Sequence, residues 1–256
     1  MKTTVQSRLT AAGIHFLASV FLFSILLLII INIWYPQPYF SASGGWQGLK
    51  IVALVDLVLG PLITLAIFNS NKPKKVLAQD LGIIIIIQLA ALFYGIHTIY
   101  SQRPVGIVFW EGKFSTISAQ AMDNQGVDPS TFQQFSNQSP PIIYAEKPTS
   151  VKGLTDLLKV IKDQKIPPTQ QLNLYRSINN FLPQVLEHSI DINEIISHNS
   201  DMAEQLQSLL KQTKTKKPDN SYLVLESKYQ NIILVFSANA EIIGYLKAPY
   251  KKIKLI

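Results

Sequence analysis

One acidic residue lies inside an apolar stretch of the sequence and is the first candidate for chemistry. Asp56 belongs to the run IVALVDLVLGPLI, between residues 51 and 63, and precedes the Gly60-Pro61 pair by four residues. If this run crosses a membrane, insertion of a carboxylate near mid-span costs about 2.5–3.5 kcal/mol. Side chains kept at such a cost pair with other polar groups or serve a function.

Two polar residues of a later apolar run are the candidate partners of Asp56. At about 1.5 Å per residue, Asp56 lies roughly 9 Å below the outer end of its run, and His97 roughly 5 Å below the outer end of the later one. The two side chains can therefore share a depth, and Gln88 or Tyr94 offers a further hydrogen-bonding group. Three interpretations remain open: internal glue of a helix bundle, a polar contact for a foreign transmembrane helix, and a proton or substrate pathway.

Small residues close to these polar groups predict tight helix packing. Gly60 shares a helix face with Asp56, lies one turn deeper and precedes Pro61. In the later run, Ala91 and Gly95 are four residues apart and form a second small-residue seam. Such seams let neighbouring helix backbones approach closely in a membrane.

Catalytic and metal-binding motifs are not found in the sequence. It has no cysteine, no Gly-rich phosphate loop, no Gly-x-Ser-x-Gly motif and no His-Glu-x-x-His motif. The four histidines, at positions 15, 97, 188 and 198, lack the spacing of metal ligands. We therefore predict no catalytic residue, no bound metal and no cofactor, and a protein that is not an enzyme.

Three apolar runs must position the polar residues, and each is long enough to cross a bilayer. They cover about residues 13–34, 50–68 and 81–100, and a bilayer core requires about 20 residues. The first run exceeds the apolar region of a signal peptide, which has about 7–15 residues. The sequence thus predicts a three-helix transmembrane bundle within residues 1–102.

The positive charges indicate how the chain crosses the membrane. Lys2 and Arg8 precede the first run, three lysines lie between residues 72 and 75, and the loop between runs one and two is uncharged. Short basic loops stay in the cytoplasm, so the N-terminus is predicted inside and the chain beyond Tyr100 outside. We attribute the net charge of +7 to this topology signal and expect no nucleic-acid partner.

The uncharged loop between runs one and two is rich in aromatic residues, glycine and proline. Two interpretations remain open for it: a belt of aromatic side chains at the membrane interface, or a docking surface for another helix. The candidate residues are Trp34, Tyr35, Pro36, Tyr39, Gly44, Gly45 and Trp46.

The remainder of the chain, residues 103–256, predicts a periplasmic α+β domain of about 150 residues, which is enough for one core. β-rich runs predict strands at residues 105–110, 114–118, 142–145, 222–226, 232–236 and 242–246, the first two as a hairpin. Helical patterns cover residues 150–163, 167–182 and 191–212, with N-caps at Ser150 and Asp191 and a break near residues 198–200 in the last.

A set of short motifs extends over residues 13–110. They are Gly13-Ile14-His15, Trp34-Tyr35-Pro36, Pro38-Tyr39-Phe40, Gly44-Gly45-Trp46, Asp56-Leu57-Val58-Leu59-Gly60-Pro61, Gln88-Leu89-Ala90, Tyr94-Gly95 and Arg103-Pro104-Val105. Together they closely resemble the type IV pilin accessory proteins of the TfpX/TfpZ type. Near the C-terminus, SYLVLES and EIIGYLKAP resemble the last strands of that family more loosely.

The resemblance implies a bacterial inner-membrane protein that helps a major type IV pilin to be assembled, stabilised or displayed. The implied partners are the pilin, the pilus assembly machinery and the lipid bilayer, and the implied role is that of a chaperone or assembly modulator that affects twitching motility. The charged groups of pilins lie toward the cytoplasmic side, so Asp56 is expected first as bundle glue and second as a pilin contact. Two alternatives are a membrane-bound pilin-modifying enzyme, such as a glycosyltransferase, and a ligand-binding sensor.

Overall fold

The computed structural model describes residues 2–227, 229–239 and 241–248. Its contacts divide the chain into two compact units. The span unit comprises Met1–Phe40 and Gly44–Gln102, and the sheet unit comprises Ser41–Ser43 and Arg103–Ile256. The predicted fold class is confirmed, because three apolar helices precede a mixed-sheet α+β unit.

The span unit contains three helices that are long and apolar enough to cross a membrane. They cover Val5–Trp34, Gly45–Ile67 and Lys74–Ser101. The second helix begins five residues earlier than its apolar run predicts, which moves Asp56 from its expected outer position to the midpoint of the 23-residue helix. The α-helical elements are α1 (Lys2–Ile29), α2 (Tyr39–Ala42), α3 (Gly45–Ala53), α4 (Gly60–Ile67) and α5 (Lys74–Ser101).

A wide helical turn of the π type joins α3 to α4 and contains Asp56. It covers Leu54–Leu59, and the N–H of Gly60 donates to the carbonyl of Val55, five residues back. Pro61 has no N–H, and in a regular α-helix its ring would clash with the carbonyl four residues earlier. The wider turn accommodates this proline without ending the span, and such turns recur at functional sites.

Seven strands of the sheet unit form one mixed sheet in the order β4-β3-β1-β2-β5-β6-β7. The β1–β3 and β2–β5 pairs are parallel, and the other pairs are antiparallel. The strands are β1 (Pro104–Trp110), β2 (Lys113–Ser118), β3 (Ile142–Ala145), β4 (Tyr175–Ser177), β5 (Ser221–Glu226), β6 (Ile232–Phe236) and β7 (Ile242–Lys247).

The β1–β2 hairpin confirms the predicted hairpin. Trp110 pairs with Lys113 across a two-residue turn, Glu111-Gly112. Both turn residues have positive φ, 44° and 88°, and this mirror-image turn matches the twist of the strands it joins. Glycine at position 112 supplies the larger positive φ without strain.

Helices pack on one face of the sheet, and aromatic rings line the other. On one face, Val108 and Ile143 pack with Leu157 of α7 (Val151–Lys159), and Ile233 and Val235 pack with helices further along the chain. On the opposite face, the rings of Phe109, Phe114 and Phe236 form a contact row. All five residues of β6 are buried, which explains why that strand is a continuous apolar run, IILVF.

The predicted caps set the helix boundaries on the first face. Ser150 Oγ accepts a hydrogen bond from the N–H of Gly153, 3.1 Å away, at the start of α7. Asp191 Oδ1 accepts from the N–H of Asn193 at 2.8 Å. The predicted break is confirmed, because Asn199 caps a new helix through the N–H of Met202. The remaining helices are α6 (Ala119–Asp123), α8 (Leu182–Glu187), α9 (Ile192–Ser197) and α10 (Ser200–Thr213).

The helix predicted over residues 167–182 is wrong. The structure has 3-10 turns at Pro168–Gln170 and Leu172–Leu174, and then strand β4, which pairs with β3. Tyr175 explains the difference, because its ring is buried in the core and its hydroxyl donates to the carbonyl of Thr169 at 2.6 Å. Long-range pairing and burial of this tyrosine override the local helical pattern.

Candidate functional site

A half-open cavity of about 450 Å³ lies among the three apolar helices of the span unit. We call it the intramembrane groove. The second span forms its back wall through Asp56 and Thr64. The wall on α1 consists of Ala11, Ile14, His15, Ala18, Ser19 and Leu22. The wall on α5 consists of Leu81, Ile84, Ile85, Gln88, Leu89 and Leu92.

The two side walls have the spacing of helix faces that receive another helix. Their residues recur at intervals of three and four, which places each set on a single face of its helix. Each wall runs for about three turns, or roughly 16 Å. Ala11, Ala18 and Ser19 keep the α1 wall shallow, and small residues of this kind permit close helix approach in membranes.

Asp56 lines the groove without a polar partner. Its residue is only 8% exposed, and its side chain lines the groove. Among the described residues, none donates a hydrogen bond to this carboxylate or forms an ion pair with it. A buried polar group without a partner is uncommon and calls for a physical explanation.

Four other polar residues line the groove, His15, Ser19, Thr64 and Gln88, and three of them, one from each span, lie close together. His15 Nδ1 and Thr64 Oγ1 are 2.6 Å apart, a hydrogen bond whose direction depends on the tautomer of the ring. The Gln88 side chain lies near the His15 ring. Gln88 also lies against Gly60, where an added Cβ would be 1.8 Å from Gln88 Nε2. This network links the three helices and leaves Asp56 outside it.

The histidine in the groove is His15 rather than His97, the partner that we expected for Asp56. His97 is exposed, and neither His97 nor Tyr94 lines the groove. Equal depth along two helices does not bring side chains together, because the rotation of each helix about its axis also decides which way they point. Of the predicted polar residues, the structure brings Asp56 and Gln88 into one cavity.

Sequence reasoning missed His15, Ser19 and Thr64. A signal for them was present, because His15 and Ser19 are four residues apart and Asp56, Gly60 and Thr64 follow one another at the same interval. This interval places polar and small residues on one face of a helix that is otherwise apolar. A search for such faces on all three spans would have indicated the groove.

The predicted packing residues lie at helix contacts or in partly buried positions. Pro61 is buried, and an added Cβ on Gly95 would be 2.8 Å from Val52 Cγ2. Gly95 therefore lies directly against the second span, whereas Ala91 is partly buried. The role that we assign to these residues in helix packing stays a prediction.

The aromatic loop is largely packed into the span unit. Tyr35 is buried and its hydroxyl donates to the carbonyl of Ile99 at 2.8 Å. Tyr39 and Gly45 are also buried, and burial raises the pKa of Tyr39 to about 12. Trp46 is 50% exposed and is the most accessible aromatic ring of the predicted set. The remaining three, Trp34, Pro36 and Gly44, are partly buried, and Trp34 contacts the ring of Tyr100.

Gly44 and Gly45 shape the entry to the second span. Gly44 has a φ of 88°, a left-handed conformation that glycine adopts without strain. At Gly45, an added Cβ would be 2.8 Å from the carbonyl oxygen of Phe40. Both positions thus have a structural reason to be glycine, in addition to any contact with a partner.

No metal centre is found in the part of the chain that the structure describes. Within residues 2–227, 229–239 and 241–248, no group of three or more histidine, aspartate or glutamate side chains could hold a metal ion. The polar groups that line the intramembrane groove are a carboxylate, an imidazole, an amide and hydroxyl groups.

Three apolar helices with a mostly apolar groove among them that contains a few polar side chains, and a separate α+β unit, define a membrane-associated protein. Residues 3–44 match the sequence profile of the family described as fimbrial assembly protein FimB. This segment includes all but the first residue of α1 and thus one complete side wall of the intramembrane groove.

Relatives come from Dichelobacter nodosus. The fimbrial assembly protein of serogroups C1 and C2 is 39% identical over 98 residues, which are 38% of this chain and 75% of that protein. The fimbrial assembly proteins of serogroups I and E1 have the same identity over the same length, but the shared segment spans only 38% of each. No solved structure matches the chain. The chain belongs to this family of type IV pilus accessory and assembly proteins.

Proposed function

We propose that this protein is a non-enzymatic accessory protein of type IV pilus assembly that binds the major pilin in the inner membrane. Binding would affect the stability, assembly or display of the pilin, as a chaperone or assembly modulator does. One observation carries the proposal. The segment shared with the fimbrial assembly protein family supplies one wall of a groove that contains a buried carboxylate without a described partner.

The shape of the groove suits a pilin subunit that waits in the inner membrane, as the family resemblance implies. A pilin awaiting assembly has one apolar helix in the membrane and a globular head in the periplasm. The groove offers two helix faces of about three turns each, which can contact about half the length of one such helix. Binding a waiting subunit by its helix requires no bond-making chemistry, in agreement with the composition of the groove.

The proposed orientation places the N-terminus in the cytoplasm and residues 103–256 in the periplasm. It rests on the lysines between residues 72 and 75 and on the uncharged loop between the first two spans. The chain has no cysteine, so single introduced cysteines report sidedness without background. An impermeant maleimide should label Gln133→Cys in intact spheroplasts and Asn71→Cys only after lysis. The reverse pattern would overturn the orientation.

Affinity purification of the full chain from native membranes in mild detergent tests the function directly. Unbiased mass spectrometry of the eluate should find the major pilin as the dominant partner. A deletion strain should show altered pilin level, piliation or twitching motility. The proposal fails if pilin does not accompany the protein and the deletion strain is normal in all three respects.

The mass of the pilin separates this function from a modifying enzyme. We expect pilin of the same mass in the deletion strain and in the wild type, because the proposed function is binding. A pilin that lacks a modification in the deletion strain would instead support a glycosyltransferase or a similar enzyme.

A further inference from the structure

We propose that the intramembrane groove takes a transmembrane helix that presents a cationic group, an ammonium or a guanidinium, to Asp56 at mid-span. This inference rests on the proposed function and names the chemistry by which the partner is recognised. Its observations are the arrangement of the groove walls, the burial of Asp56 and the pairing of every other charged or titratable group around it.

The walls indicate a helix as the occupant. α1 and α5 each pack against the second span, and the groove lies between the faces that they turn toward one another. The lining residues of both faces recur at helical intervals over about three turns. An occupant that contacts all of these residues is elongated and regular, as a helix is. Three small residues of the α1 wall allow the backbone of that occupant to come close.

The polar groups of the groove indicate a cation. His15 and Thr64 are hydrogen-bonded to each other with Gln88 nearby, and Asp56 is the one carboxylate among the lining residues. Ionisable groups within a membrane pair with one another because the lipid cannot solvate them. A cation on another helix would neutralise the charge of Asp56, and Asp56 would neutralise the charge of that cation. Such a pair contributes to the specificity of binding as well as to its affinity.

Two other sources of a cation are disfavoured by position. A lipid amine lies at the headgroup level, whereas Asp56 is at the midpoint of its span. A second copy of this chain has no lysine or arginine at mid-span. Within its three span helices, the lysines and arginine lie in the first two turns, at Arg8, Lys50, Lys74 and Lys75.

Site-specific photocrosslinking of the full chain in native membranes tests the occupant. A photoreactive amino acid at Leu22 or Ile85 faces the groove, and the matched controls Phe21 and Ile86 are exposed neighbours that do not line it. We expect an adduct with the pilin from the two groove positions only. The charged groups of pilins lie toward the cytoplasmic side, so this contact forms when the pilin helix shifts outward, as it must on extraction. Mass spectrometry should map the adduct to the pilin helix, within two turns of a cationic group.

Asp56→Asn tests the charge, because it keeps a neutral hydrogen-bonding group of the same size. We expect the adduct yield to fall about tenfold or more, as when one member of a desolvated ion pair is neutralised. The matched control is Asp80→Asn, which makes the same change at a carboxylate that pairs with Lys72 and does not line the groove. Its yield should stay at the wild-type level, and immunoblots should show equal amounts of all variants.

The outcomes separate this inference from the proposed function. If pilin purifies with the wild-type protein but groove and control positions crosslink alike, or Asp56→Asn leaves the yield unchanged, the inference is wrong and the function stands. Adducts with lipid only, or with a second copy of this chain, would also overturn the inference. If pilin neither purifies with the protein nor crosslinks to it, and the deletion strain is normal, both fail.

Discussion

The two units contain similar apolar side chains but place them in different surroundings. In the sheet unit, β6 lies between β5 and β7 and is buried along its whole length. In the span unit, only 22% of the second span's most apolar window and 6% of the third's are buried within the protein. Lipid takes the place of protein atoms on the remaining surface, so exposure of leucine and isoleucine there carries no cost.

The units also differ in whether their buried polar groups have hydrogen-bond partners. In the sheet unit, Gln171 donates to the carbonyl of Ile166 at 3.0 Å and Tyr175 donates to that of Thr169. In the span unit, Asp56 is buried without a partner among the described residues. A buried polar group that has no hydrogen-bond partner within the folded protein can be paired by a ligand instead. Asp56 is such a group, and it lines the groove.

The largest expected effect comes from removing the same side chain in each unit. Phe114→Ala deletes a fully buried ring between Phe109 and Phe236 and should lower the free energy of unfolding by about 3–5 kcal/mol. Phe21→Ala deletes a ring exposed on a span and should cost less than about 1 kcal/mol. Denaturant titration of the full chain in detergent, followed by hydrogen exchange in β1 and β2, measures both. Equal losses would show that the two surroundings do not differ as described.

Asp56→Leu should separate stability from function. Removing a carboxylate without a partner regains the insertion cost of about 2.5–3.5 kcal/mol, so the variant should resist unfolding in mixed micelles better than the wild type. It should also lose the pilin adduct at groove positions. This expectation differs from the bundle-glue interpretation, under which the substitution weakens the protein. A destabilised Asp56→Leu that still binds pilin would restore that interpretation.

The sheet unit should lose stability at alkaline pH through Tyr175. Burial raises the pKa of its hydroxyl above the ordinary value near 10, so the folded protein holds the proton that the unfolded chain releases. Stability is therefore complete below pH 10 and falls above it, by about 1.4 kcal/mol per pH unit for this group. Tyr175→Phe should flatten that slope in urea titrations between pH 9 and about 11. An unchanged slope would assign the loss to other groups.

The smallest expected effect is the loss of one hydrogen bond in the groove. Thr64→Val keeps the shape of the side chain but removes the bond to His15, and such bonds between membrane helices contribute about 0.6 kcal/mol. The matched control is Thr98→Val, because the Thr98 hydroxyl donates to the backbone carbonyl of Tyr94 within the same helix. A double-mutant cycle of Thr64→Val with His15→Leu measures the coupling. No coupling would mean that the 2.6 Å contact does not hold the spans together.

The amino-acid sequence by itself determined the local features of both units. Apolar length gave the three spans, alternation and turn residues gave the β1–β2 hairpin, and Ser150 and Asp191 gave helix starts. These features depend on interactions between residues close in the chain, which composition and spacing encode directly.

Only the tertiary structure decided which distant residues meet. His15 and not His97 lies in the groove beside Asp56, because helix rotation depends on packing among all three spans and not on depth. Residues 175–177 became strand β4 because β3 offered a pairing edge and the core accepted the ring of Tyr175. In each case the alternative conformations have similar local energies, and contacts between residues distant in the chain determine which one forms.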